Sequence, residues 1–239
     1  MAGTMVHLTI AELLWQRIGQ EGWHYAFDTE LCPQEDLFIA GNICPDGIMA
    51  RKNYRREMKL HSHFRDGIPD GSFDKPGMQP LFRRRMAEFW REHQEDEREL
   101  PGLYLGYITH MMTDEKFVLE ERPKFFQEIS RIGLTQRDRE TFVRFNEETD
   151  LVDFALIRNE PMLQKAKQSL QRVQEYEIKN MITAEELTDS RNWILQHFFV
   201  EEHPDKKPEF LSYESMLGFI RQTTEEIVQR LLEEQLLTS

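Results

Sequence analysis

The chain has 239 residues, 39% apolar and 31% charged, with a formal net charge of −13. That balance excludes a disordered chain, and the length suits one domain with a single core. The acidic charge argues against nucleic acid or an anionic membrane as partner, while a small anionic substrate stays open because a bound dication reverses the local field. The opening, MAGTMVHLTIAELLWQRIG, has no basic segment followed by a long apolar run and reads as folded chain, not a signal peptide. In it Thr9 is the expected helix cap, with Glu12 three residues later and Gly19 as the stop. The stretch QEDLFIAGNICPDG predicts a short apolar helix ending near Gly41, then a tight turn at Pro45, Asp46 and Gly47. The two cysteines, Cys32 and Cys44, supply no disulfide framework and fit a reducing cytosol. From Arg65 to Pro80, RDGIPDGSFDKPGMQP predicts the longest loop.

LFRRRMAEFWREHQEDEREL predicts one amphipathic helix, and Gly102 to about Glu121 an apolar helix closed by Pro123. Further helices are expected near 123–131, 136–157, 160–179, 183–200 and 212–237, with Thr183 and Glu186 as a capping box and EEHPDKKPEF as a loop. The tail helix carries apolar residues at helical spacing, which fits core packing and leaves the oligomeric state open. No window reaches the roughly 18 apolar residues of a membrane span, so no span is expected, and the cysteine usage makes a cytoplasmic protein the expectation. The expected fold is all-α, a single helical domain over residues 1–239 with about eight helices.

His110 and Asp114 stand out within YLGYITHMMTDEKF. Their spacing of four puts both on one helix face, one turn apart, and that face also carries apolar side chains. A buried carboxylate costs several kcal/mol unless it is paired or bound to metal, so the pair is either a metal site or a buried hydrogen bond. Asp46, on a turn fixed by Pro45 and Gly47, is a pre-positioned carboxylate or an ordinary turn-former. His61 and His63 lie two apart, so at most one belongs to a site on a helical scaffold. His7 reads as exposed beside a helix start, and His24 and His93 carry no assignment. His197 and Glu201 repeat the four-residue spacing and read as structural.

The segments MVHLTIAELL, FIAGNICPDGI, LHSHFRDG and YLGYITHMMTDEKF, in that order, resemble the zinc-dependent phospholipase C family, whose fold includes single-strand-specific zinc nucleases. The resemblance spans roughly residues 5 to 122. It implies an all-α fold with a metal cluster in a cleft. His63 matches the family's His-Phe-x-Asp element better than His61. Asp46, His63, His110 and Asp114 would hold one ion, and His7 a neighbouring one, with Asp114 bridging. The family's N-terminal tryptophan ligand has no counterpart in MAGTM, and its histidine after the bridging aspartate corresponds to Glu120. At about 100° per residue Glu120 points away from His110 and Asp114, while Glu121 shares their face about 10 Å further along. A third site would fall on Asn146 and Asp150, a poor set for zinc but open to a harder ion such as Mn²⁺ or Mg²⁺.

The function implied is that of a metal-dependent hydrolase acting on a small phosphoester, phosphodiesterase or phospholipase C-like. It would use zinc or another divalent ion (Mn, Fe or Ni), one or two per chain. Asp46 would orient or deprotonate water, and Arg65, on the loop, would meet a phosphate. The alternatives are a non-catalytic metal-binding or regulatory protein on the same fold, and a metal-free helical interaction domain in which His110 and Asp114 are a buried pair.

Overall fold

The computed structural model describes residues 1–69 and 71–238. Asp70, within the expected long loop, and Ser239 lie outside the described residues. Eleven α-helices are present among the described residues. They are α1 (Thr4–Glu21), α2 (Glu35–Gly41), α3 (Cys44–Gly47), α4 (Arg56–Ser62), α5 (Met78–Glu92), α6 (Gln94–Glu99), α7 (Leu103–Arg131), α8 (Arg139–Asn159), α9 (Leu163–Arg172), α10 (Ala184–Phe199) and α11 (Tyr213–Glu233). The only strands described are β1 (His24–Tyr25) and β2 (Leu237–Thr238), paired antiparallel with His24 opposite Thr238. The all-α class is as expected, with more helices than the eight expected. No helix described is long and apolar enough to cross a membrane.

Helix α7 is the axis of the molecule, with α1, α2, α5 and α11 packed around it. Its face from Leu103 to Asp114 is buried without a break. The helix does not stop at Pro123, as the sequence suggested, but runs on to Arg131. Proline removes one hydrogen bond there. The aromatic packing on either side of it outweighs that loss: Phe117 meets Phe219 and Phe125 meets Phe145 and Phe210, all within one core. Helix α2 crosses α7 so closely that Gly41 and Gly106 face each other; a Cβ on Gly106 would lie 2.3 Å from the Phe38 carbonyl oxygen.

The start of α1 corrects another expectation. Thr9 is not a cap; it is buried in mid-helix, with Oγ1 donating to the Met5 carbonyl at 2.6 Å. Glu12 is likewise buried. The Asp153 side chain of α8 packs against the start of α1, so close to Gly3 that a Cβ there would lie 2.3 Å from its Oδ1, and burial raises its pKa to about 8 against the pull of the Met5, Val6 and Thr4 amides. The helix continues past Gly19 and ends at Gly22, whose φ of 66° is the left-handed stop. The expected helix at 160–179 ends at Arg172, beyond which Val173, Tyr176 and Ile178 are buried from extended chain and Asn180 turns at φ 62°. Thr183 and Glu186 do form a capping box.

The single helix expected over 81–100 is broken at His93. The break turns Glu97 inward, where its carboxylate accepts the amides of Gly102 (2.9 Å) and Tyr104 (2.8 Å) and the hydroxyl of Tyr25. Glu97 thereby caps α7. Burial raises its pKa to about 7, against these donors. The folded value exceeds the ordinary 4.5, so its contribution to stability is complete below pH about 4.5 and is lost as pH rises through about 7. In Glu97→Gln this part of the pH dependence disappears, so urea midpoints of variant and wild type should converge or cross between those two pH values. Parallel midpoint curves would refute the assignment.

Candidate metal centre

Five side chains from four segments meet on the inner face of α7. His7 comes from the second turn of α1, Asp46 from α3, His63 from the residue that closes α4, and His110 and Asp114 from α7. Asp46 sits in a one-turn helix, not the simple turn expected, with Pro45 in the first turn where a missing amide costs nothing. Ser62 donates to the Pro45 carbonyl at 2.9 Å, and Tyr107 donates to the Ser62 carbonyl, so the end of α4 is tied to both α3 and α7. The chain then reverses at Phe64, whose φ of 56° is unusual for a bulky residue, leaving His63 buried.

The atoms form two overlapping triads. His7, His110 and Asp114 make one, Asp46, His63 and His110 the other, and within each the ligand atoms lie within 4.8 Å of one another. His7 Nε2 is 3.4 Å from Asp114 Oδ1, His110 Nε2 is 3.6 Å from Asp114 Oδ2, and His63 Nε2 is 3.3 Å from Asp46 Oδ1 and 3.7 Å from Asp114 Oδ2. The rings of His7 and His110 stack at 3.6 Å, within 1° of parallel. Second contacts fix the orientations. His110 Nδ1 donates to the Asn42 carbonyl at 2.8 Å, and His63 Nδ1 to the Lys59 carbonyl at 2.8 Å. Each ring therefore turns the lone pair of Nε2 toward the cluster.

Four of these inward atoms have no hydrogen-bond partner. His7 Nε2, His63 Nε2, His110 Nε2 and Asp114 Oδ2 are all buried and unsatisfied, and Asp46 Oδ1 has only the Lys59 ammonium, at 2.6 Å. Each such group costs about 1–3 kcal/mol, more where it is charged. Four in one place need a common partner, and imidazole nitrogens with carboxylate oxygens form the donor set of a borderline divalent cation. Protonation fits as well. Burial lowers the His7 pKa to about 4, and burial likewise lowers His63, against the pull of Asp46. Burial would raise both carboxyls, but Lys59 and His63 hold Asp46, and His110 and His7 hold Asp114, well below the usual range. These groups need shed no proton to take up a cation at neutral pH.

Other residues singled out in the sequence fall elsewhere. His61 is exposed and pairs with Asp66 at 2.7 Å. Glu120 pairs with Lys116, and the buried Glu121 with Lys124 at 2.5 Å. Asn146 uses its carbonyl to accept from Thr149 at 2.8 Å, and Asp150 lies near His197 and His203. None of these joins the triads. Arg65 is buried and shares a cavity of only about 10 Å³ with His63, Phe73 and Asp114.

Three participants were missed in the sequence. Lys59 places Nζ 2.6 Å from Asp46 Oδ1. It stands four residues before His63, a spacing that carries both toward one side of the short helix. The Ala2 amide donates to Asp114 Oδ1 at 2.9 Å, and the Asn42 carbonyl orients His110. Backbone groups of this kind leave no sequence signal. On the Asp46 side a cavity of about 440 Å³ opens, walled by Met49, Ala50, Trp193 and Ile194. No family model, curated protein or solved structure matches the chain.

Proposed function

We propose that this chain is a metal-dependent phosphoester hydrolase of the zinc-dependent phospholipase C type. The observation that carries the reading is the convergence of four buried, unsatisfied nitrogen and oxygen atoms beside the ion-paired carboxylate of Asp46. Asp46, His63 and His110 would hold one ion. His7 would hold a second, and Asp114, with two oxygens facing different histidines, is the member able to bridge. Zinc fits the mixed nitrogen and oxygen set best; Mn, Fe or Ni are the other ions such a set accepts. When bound, such ions polarise a phosphoryl oxygen and bring the ionisation of water from about 15.7 to about 7.

The chain's own groups have separable tasks. Asp46 borders the larger cavity and is held ionised by Lys59 and His63. A carboxylate so well stabilised is a weak base, so its task is to orient water rather than take its proton. Lys59 adds positive charge beside Asp46, which offsets the carboxylate an anionic ester would otherwise meet there, whereas Arg65 is buried beside His63 and Asp114 in a space too small for an ester. The cavity beside Asp46 has room for a small substrate.

Elemental analysis of the protein, with turnover of a chromogenic phosphodiester in added Zn²⁺ or Mn²⁺, tests this reading. We expect bound metal and turnover that His110→Ala removes. Metal-free protein whose melting temperature ignores chelator would refute it, leaving a helical interaction domain. A second reading, metal binding without catalysis, is favoured by one observation: His7, His63 and His110 are each 1% exposed, behind Ala2 and Lys59. Its signature is bound metal with no turnover above the His110→Ala level.

A further inference from the structure

At the far end of α10 a second group of ligand-type side chains comes together. His197 lies in the last turn of the helix, and Glu201 and His203 in the segment that follows. Each offers one ligand atom within 4.8 Å of the other two. His197 Nδ1 is 2.8 Å from Glu201 Oε2, and His203 Nε2 is 2.6 Å from the His197 carbonyl oxygen. A ring nitrogen facing a carbonyl must be the protonated one, so the lone pair of His203 resides on Nδ1.

Aromatic stacking orients both imidazoles. Trp193 lies on His197 at 4.7 Å and 15°, and Phe154 on His203 at 3.8 Å and 9°. The segment carrying His203 is itself fastened to α8. Arg158 reaches the Pro204 carbonyl at 3.3 Å and Asp205 at 3.3 Å, and the Glu148 carboxylate accepts the amides of Glu209 and Leu211 at 3.0 and 2.9 Å. Two oriented imidazoles and a carboxylate on a tethered frame are a pre-organised ligand set. Asp150 adds a second acidic group near enough for its charge to sense both rings.

We propose that His197, Glu201 and His203 form a second divalent-metal site, more open to solvent than the buried cluster and separate from it. Its donor set of two nitrogens and a carboxylate suits Zn²⁺, Cu²⁺ or Ni²⁺, with the remaining positions left to water or Asp150. The ion would join the end of α10 to the chain that follows. It would also brace Trp193, the side chain that stacks on His197 and forms one wall of the cavity next to Asp46. The site needs no catalysis to exist and does not depend on the hydrolase reading.

The test uses full-length protein stripped with chelator and dialysed against Zn²⁺ alone, with metal counted per chain. His203→Gln, which keeps a hydrogen-bonding side chain but loses the imidazole, should weaken one class of zinc site by at least about tenfold. His110→Ala should leave that class intact. Cu²⁺ titration gives an independent readout, because the ion would sit beside an exposed indole. Tryptophan emission should be quenched in wild type, and the quenching lost in both Trp193→Phe and His203→Gln. If His203→Gln unfolds, Glu201→Gln at an exposed position serves in its place. Unchanged zinc stoichiometry and affinity, with unchanged Cu²⁺ quenching, would overturn the proposal and leave His203 as a simple cap on the last carbonyls of α10.

Discussion

Replacing His110 with Ala is expected to erase the effect of zinc on the melting temperature and any phosphodiester turnover together. His110 belongs to both triads, so its loss removes a ligand from each. An ion held at 1,000 times its dissociation constant stabilises the folded chain by about 4.1 kcal/mol. The substitution also empties the space against the His7 ring and leaves the Asn42 carbonyl without its donor, a structural loss of roughly 1–3 kcal/mol. The two effects separate by condition. In chelator, variant and wild type should differ only by the structural loss. In zinc the gap should widen by several kcal/mol, because only the wild type gains the ion. An equal gap in both conditions would mean that His110 and Asp114 are a buried pair and nothing more.

The pair on α7 was legible because it needs only one helix. Four-residue spacing on an apolar face is a local fact, and the structure keeps it. His7 shows where local reasoning fails. With Thr9 taken as the cap, His7 lies outside the helix and reads as exposed. The true start at Thr4 puts it in the second turn, buried against His110. At that start Asp153, a residue far along the chain, packs against Gly3. A capping box is a local preference of about 1 kcal/mol, and tertiary contacts override it. Glu97 teaches the same lesson at the start of α7, since it becomes a cap only through the break at His93. Pro123 reverses the direction of the error: a strong local stop signal is overruled by aromatic packing on both sides.

The convergence of Asp46 and His63 on α7 was suggested in the sequence only through resemblance, because it depends on how closely α2 can approach α7. Lys59 was within reach of the spacing argument, four residues from His63, but a lysine beside a presumed metal ligand has no evident purpose until Asp46 is seen to lie against it. Its ammonium holds Asp46 in place and ionised, the state an incoming ion needs. The site is thus read in two parts. Ligand identity is written in residue types, while ligand orientation is written in backbone carbonyls and helix contacts that any sequence could supply.

Gly106→Ala should be among the most damaging substitutions in the chain, though it adds one methyl group and improves helix propensity. A Cβ there would meet the Phe38 carbonyl oxygen at 2.3 Å, the Gly41 Cα at 2.9 Å and the Asn42 nitrogen at 3.1 Å. All three are backbone atoms, so no side chain can swing aside. Helix α2 must move away by about 1 Å, at a cost at or above the upper end of the usual 1–3 kcal/mol for overpacking. That exceeds the gain of up to about 1 kcal/mol from replacing glycine in a helix. The displaced segment carries Asn42, whose carbonyl orients His110 at 2.8 Å and whose side chain accepts from Thr109 at 2.9 Å. Metal affinity should therefore fall with stability, although residue 106 touches no ligand. Gly218→Ala in α11 is the matched control, since nothing lies within 4 Å of a Cβ there, and it should leave the protein unchanged or slightly stabilised. Denaturant midpoints and zinc affinities of the two variants decide the matter: if they agree, the α2–α7 approach is not what aims His110 at the cluster.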